Sequence, residues 1–166
     1  MNRIHPDATV EEHVILGDNI FIEAGARIGT NPIIGGHRPF TGENYIRECT
    51  KSVVIEDNVY IGANTVVQRG YYDHTVIKRS ALIGSMCNIG HDCYIGENAI
   101  IAPCTLVEGH TIVEPVAFIG GGTTIRSLLR VGAYSFVGMG SLVTKDIPQG
   151  TFGYGHPFRP QEKTKK

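Results

Sequence analysis

Residues Ile77–Ile147 read IKRSALIGSMCNIGHDCYIGENAIIAPCTLVEGHTIVEPVAFIGGGTTIRSLLRVGAYSFVGMGSLVTKDI, and an aliphatic residue returns in them at every sixth position. After Ile77 come Ile83, Ile89, Ile95, Ile101, Val107, Val113, Ile119, Ile125, Val131, Val137 and Val143, and none of the twelve is polar. Four residues after each stands a second restricted position, mostly small: Ala81, Cys87, Cys93, Ala99, Thr105, Thr111, Ala117, Thr123, Leu129, Ser135 and Ser141, with Ile147 closing the series. The residue just after the aliphatic one is often glycine, as at Gly84, Gly90, Gly96, Gly120, Gly132 and Gly138, which eases a corner where a side chain would crowd the backbone. A period of six fits neither an amphipathic helix nor a simple alternating strand. It fits hexapeptide repeats, in which short strands wind into a prism and each coil stacks on the last. Three hexads make one coil, and β-branched side chains then form ladders down the prism axis.

Working outward, the same phase runs through Ile4, Val10, Leu16, Ile22 and Ile28, blurs between Ile34 and Val54, and resumes at Ile55, Ile61 and Val67. Ile34, Phe40 and Ile46 still keep step with Ile28, but GGHRPFTGENY reads as a loop projecting from an edge. A four-residue insertion in QRGYYDHTVI shifts the phase before Ile77. Together these segments give twenty hexads, a little under seven coils. After Val143, Pro148, Pro157 and Pro160 forbid a further coil, and Phe152, Tyr154 and Phe158 predict a tail folded back over an open sheet edge. The expected organisation is an all-β parallel β-helix over residues 1–148, with an inserted loop at about 34–54, and a C-terminal tail over 149–166.

Composition narrows the function classes. The formal net charge of −1 over 166 residues argues against a nucleic-acid footprint. No window approaches a membrane span, and MNRIHPDATV lacks the apolar segment of a signal peptide, so the expectation is one cytoplasmic domain. The four cysteines show neither metal-knuckle nor redox spacing and read as reduced packing residues.

His91 follows the inward Ile89 by two positions, so its ring should emerge at a corner; imidazole is a suitable general base near neutral pH. His110 comes nineteen residues later, one coil plus one, and should lie almost over His91; His74 precedes it by seventeen, inside the insertion. Three histidines near one coil spacing allow a metal site or acid–base work. A trigonal histidine site resembles the γ-class carbonic anhydrases, but the second ligand expected five residues after His91 is Gly96, so no metal is expected.

NIGHDCYIG resembles the catalytic-histidine motif of the lipid A acyltransferases, which act on UDP-N-acetylglucosamine and on UDP-3-O-acylglucosamine. IGANTVVQRGYYDHTVI is similar to a segment of the N-acyltransferase, phase-shifting insertion included, and TLVEGHTIVEPVAFIGGGTTI resembles the stretch one coil further on. The likeness covers about Val54 to Gly140. It implies a left-handed β-helix assembled as a homotrimer, with His91 as general base and the Gly109 backbone N–H stabilising the oxyanion. It further implies that Asn88, His110, Arg69, His74 and Arg126 contact substrate; Arg126 replaces a histidine and Asn88 a histidine or glutamine. The N-acyltransferase carries an N-terminal uridine-binding domain and both enzymes a C-terminal helical extension, and neither is expected from these residues. VTKDIP…GHPFRP resembles instead the ending of short CoA-dependent sugar acetyltransferases. The expectation is therefore an acyltransferase with no bound cofactor, moving an acyl group, acetyl from acetyl-CoA, to the amino group of a nucleotide-linked sugar. The alternatives are a longer-chain enzyme using acyl carrier protein, and a non-catalytic β-helix platform or a metal protein like the γ-class carbonic anhydrases.

Overall fold

The computed structural model describes residues 1–32 and 49–162. Short parallel strands, mostly two residues long, wind as a left-handed parallel β-helix with three faces. The described strands form sheets of nine, seven and six strands, and consecutive strands pass from one sheet to the next. Rungs one coil apart pair at a spacing of eighteen, as Asn88 does with Leu106 and Tyr94 with Ile112. The twelve aliphatic positions from Ile77 to Val143 are all fully buried, as are the small positions between them. Side chains at the two restricted positions therefore fill one continuous core. Buried hydroxyls among them are satisfied across the corner: Thr65 donates to the Gly84 carbonyl and Thr105 to that of Gly120. A buried hydroxyl without an acceptor would cost about 1–3 kcal/mol.

Register locates both insertions. Ile22 pairs with Ile61, 39 residues on, which is 21 more than the coil spacing of 18; Ile61 pairs with Ile83, 22 on, which is 4 more. The larger interruption falls between Thr30 and Val53; of the loop expected at about 34–54, Val53 and Val54 belong to strand Val53–Ile55, and residues 34–48 lie outside the described residues. The in-step positions Ile34, Phe40 and Ile46 lie outside the described residues, as does the lysine-rich end.

From Ile77 to Gly140 each corner carries one residue with φ near +60°. That residue is the third after the inward aliphatic side chain, from Ser80 through Met86, Asp92, Asn98, Cys104 and His110 to Tyr134. Even Val116 (φ 62°) and Leu128 (φ 64°) accept this conformation, which ordinarily disfavours β-branched and bulky residues. Stacking on the coils either side imposes it.

The chain goes further round than its prolines suggest. Ile147 forms a parallel bridge to Val131, and Phe152–Tyr154 pairs in parallel with Phe136–Val137. Pro148 is accommodated because it follows an inward residue directly, at a corner, where its carbonyl accepts from Ser135 and Thr151. The tail then doubles back, and Arg159–Pro160 pairs antiparallel with it, closing the end of the first sheet. At the opposite end Ile4 is left exposed. Cys87 and Cys93 pack in the core as expected, and burial pushes the Cys93 thiol up to about 12. Cys104, by contrast, is exposed, because it occupies the left-handed corner position rather than an inward one. Among the described residues no helix is long and apolar enough to cross a membrane.

Candidate active site

His91 stands where the chain leaves strand Asn88–Ile89 of the seven-stranded sheet and turns toward Tyr94–Ile95 of the six-stranded one. Its ring lies over Gly109, the corner residue of the next coil. A Cβ on Gly109 would fall 2.6 Å from His91 Nε2. The His91–Gly109 pairing thus requires glycine on steric grounds. Gly90 is equally constrained, since a Cβ there would lie 2.6 Å from the Gly109 nitrogen.

The Gly109 N–H makes no hydrogen bond to another described residue. One coil on, Glu108 occupies the place of Gly90, and its Oε2 accepts from the Ser127 N–H at 3.1 Å. Glycine at position 90 provides no such acceptor, so the Gly109 donor stays open beside the imidazole.

Asp92 completes the arrangement. Its side chain is 1% exposed, and Oδ2 lies 2.5 Å from His91 Nδ1. Oδ1 accepts three consecutive backbone N–H groups, from Tyr71 at 3.0 Å, Tyr72 at 2.8 Å and Asp73 at 2.6 Å. Burial alone would push this carboxyl up. The hydrogen bond from His91, the Asp73 and Tyr71 N–H groups and the charge of His110 outweigh it, and hold the carboxyl below its usual range. With Nδ1–H donated to Asp92, the His91 lone pair sits on Nε2, facing Gly109.

His110 packs edge-on against His91 with ring centroids 4.9 Å apart, and its Nε2 is 3.6 Å from Asp92 Oδ2. Tyr72 covers its other side at 5.6 Å. His91, Asp92 and His110 offer three ligand-type atoms within 4.8 Å of one another. The 2.5 Å separation of Nδ1 and Oδ2 is a hydrogen-bond length, whereas two ligands each about 2.0–2.2 Å from a tetrahedral ion stand further apart. As placed, His91 Nδ1 and Asp92 Oδ2 are bonded to each other through a proton.

These residues open into a groove of about 400 Å³, lined also by Gln68, Asn88, Leu106, Ser127 and Leu128. Of the residues expected from sequence, His91, Gly109, His110 and Asn88 come together there. The other three do not. His74 is turned away, its Nδ1 accepting from the Ser52 N–H at 3.1 Å. Arg69 donates from Nε to the Lys51 carbonyl at 2.8 Å and borders a separate hollow with Glu11, Glu12 and His13. Arg126 is exposed and outside the groove lining, where Ser127 and Leu128 stand instead, because a one-residue step along a corner changes the direction of the side chain. Sequence reasoning missed Asp92. The available signal was the phase-shifting insertion one coil earlier, which supplies all three of its backbone donors.

Residues 74–109 match the family profile described as bacterial transferase hexapeptide, six repeats. A UDP-3-O-acylglucosamine N-acyltransferase from Hahella chejuensis is 32% identical over 166 residues, covering 99% of this chain and 47% of the relative. One from Methylorubrum populi is 32% identical over 155 residues, covering 89% and 42%. The chain thus spans less than half the length of these relatives. The solved UDP-N-acetylglucosamine acyltransferase of Francisella novicida superposes with a TM-score of 0.76 at 20% identity, over 96% of this chain and 68% of that one, and shares its fold.

Proposed function

We propose that this hexapeptide-repeat chain is an acyltransferase that moves an acyl group from a thioester to the amino group of a nucleotide-linked sugar, with His91 as general base. The observation that carries this reading is the Nε2 of His91 set against the open N–H of Gly109 in a groove. The acceptor nitrogen attacks the thioester carbonyl carbon while Nε2 takes its proton. The carbonyl oxygen, now an anion, accepts from the Gly109 N–H; one such donor is worth about 3 kcal/mol in the transition state. Collapse of the tetrahedral intermediate forms the amide and breaks the C–S bond, and the imidazolium returns its proton to the departing thiolate. Asp92 holds the ring and stabilises its transient charge, while Asn88 and His110 line the path of the acceptor.

Acetyl-CoA is the donor favoured by the likeness of VTKDIP…GHPFRP to CoA-dependent sugar acetyltransferases, with a carrier-protein thioester as the competitor; either donor fits a reaction in the cytoplasm. Assembly as a homotrimer is supported by the outer face of the nine-stranded sheet. There Phe21, Tyr60, Leu82, Ile100, Phe118, Phe136 and Phe152 stand in one register as an apolar column on which copies can pack.

The test is turnover of acetyl-CoA with a UDP-linked amino sugar. His91→Ala should cost about a hundredfold or more, with the oligomer intact by light scattering. Wild-type turnover in that variant would overturn the assignment. Thermal protection by CoA supports the first donor, and protection by acyl carrier protein alone replaces it with the second.

A further inference from the structure

The inward residues Val67 and Ile77 stand ten positions apart where the repeat allows six, and the chain between them does not simply bulge into water. It leaves the coil at Gly70 and returns at Thr75, and the N–H groups of both converge on one acceptor, the Ser52 carbonyl, at 3.5 Å and 3.1 Å. Between these ends three successive N–H groups, those of Tyr71, Tyr72 and Asp73, point inward onto Oδ1 of Asp92. Thr75 Oγ1 then accepts from the Asp92 N–H at 2.9 Å, so the same segment fixes both the backbone and the carboxylate of Asp92. Asp73 ties the segment to itself by accepting from the His74 N–H at 3.0 Å. The turn closes so tightly that a Cβ on Gly70 would lie 1.6 Å from the Asp73 carbonyl oxygen.

We propose that this four-residue excursion is a positioning element for the His91–Asp92 pair, a backbone nest built to grip a buried carboxylate, and that Gly70 is the residue that lets it form. The proposal rests on His91 being the base. A concavity of consecutive N–H groups is an anion site, and here the anion is a side chain of the same protein. With Oδ1 held by three donors, only Oδ2 is left for imidazole, and the carboxylate cannot rotate. His91 therefore keeps one tautomer and one direction. No side chain of the excursion need touch the reacting atoms for it to matter, which separates this role from substrate binding. The titratable side chains in contact with Asp92 are His91 and His110, and its charge also acts on the Cys49 and Cys93 thiols.

Two variants of the full-length protein test this. Gly70→Ala should open the nest, lowering kcat about a hundredfold through displacement of the base, while the KM values of both substrates change little. Replacing the Tyr72 backbone amide by an ester, with the tyrosine side chain kept, deletes the central donor alone and should lower kcat about tenfold. It carries the test if Gly70→Ala does not fold. In both, the Asp92 carboxyl carbon, followed by 13C NMR without substrate and identified through Asp92→Asn, should titrate at higher pH than in the wild type. A purely structural excursion would not move that titration. Unchanged kcat and an unchanged Asp92 titration in the folded variants, with His91→Ala inactive, overturn the positioning role. Activity retained by His91→Ala overturns the base assignment instead, and the carboxyl titration still reads the nest by itself.

Discussion

Two corners of the same prism, built from the same hexad, have opposite outcomes. At the corner leading into the nine-stranded sheet, carboxylates close the turn onto itself. Glu114 accepts from the Ala133 N–H at 2.8 Å and pairs with Arg130, and these two contacts, in that order, hold its carboxyl below the usual range. Glu56 does the same for the Arg79 N–H while pairing with Lys78. At the corner carrying His91, glycine replaces the capping carboxylate, the N–H above it stays open, and the one carboxylate present is turned onto an imidazole. Among the described residues a glutamate caps this N–H at some rungs and not at others; chemistry becomes available where an uncapped N–H stands beside an imidazole.

The sharpest way to break this contrast is to fill the open corner. Gly109→Ala places a methyl group 2.6 Å from His91 Nε2, and the displaced ring should lose about a hundredfold in kcat, measured beside an unchanged circular dichroism spectrum. Asp92→Asn comes next: shape is kept, the charge that orients His91 is lost, and kcat should fall about tenfold or more.

The same variant carries a pH signature. Because the Asp92 carboxyl is held below its usual range, it contributes stability that is present above the unfolded value of about 4. That contribution is lost as pH falls through the lower folded value. Denaturant unfolding of the wild type should therefore weaken on acidification below pH about 4, by more than in Asp92→Asn.

The closed corner supplies the two smallest effects. Val116 sits there with φ 62°, a conformation costing an L-residue about 1–2 kcal/mol. Val116→Asn, which tolerates that region better, should raise stability by about 1 kcal/mol with turnover unaltered. Glu114→Gln should leave kcat and KM at wild-type values, since its carboxylate serves only its own corner.

The fold was legible because each rung repeats one local rule. The unbroken run from Ile77 to Val143 leaves those side chains a single place to go, and the twenty hexads counted in sequence correspond to the strands from Arg3–Ile4 to Leu142–Val143. The departures came where that rule lapses. Pro148 does not stop the winding, because a corner has no need of its missing N–H. The coil spacing also brought His91, Gly109 and His110 together on paper, since stacking converts a separation of eighteen or nineteen into adjacency. Asn88 joined them as an outward residue of the same sheet face.

His74, placed by spacing inside the insertion, and Arg69 and Arg126, expected from the family likeness alone, stand outside the groove. The first two flank or enter an insertion that breaks register, and the third lies one position from the groove, where the chain turns. Asp92 was harder to read for a related reason: three of its partners are backbone amides, which carry no residue identity, and only the insertion that supplies them marks the place.

The sequence by itself determined the winding, the core and the column of corners on which His91, Gly109 and His110 fall, because a six-residue period dictates which side chains face inward whatever the loops do. Only the tertiary structure decided that an open corner N–H stands beside the His91 ring, how a four-residue excursion folds back on Asp92, and that this carboxylate aims the imidazole. Those choices depend on distances of a few tenths of an ångström between backbone groups, and hydrogen-bond energy is steep on that scale.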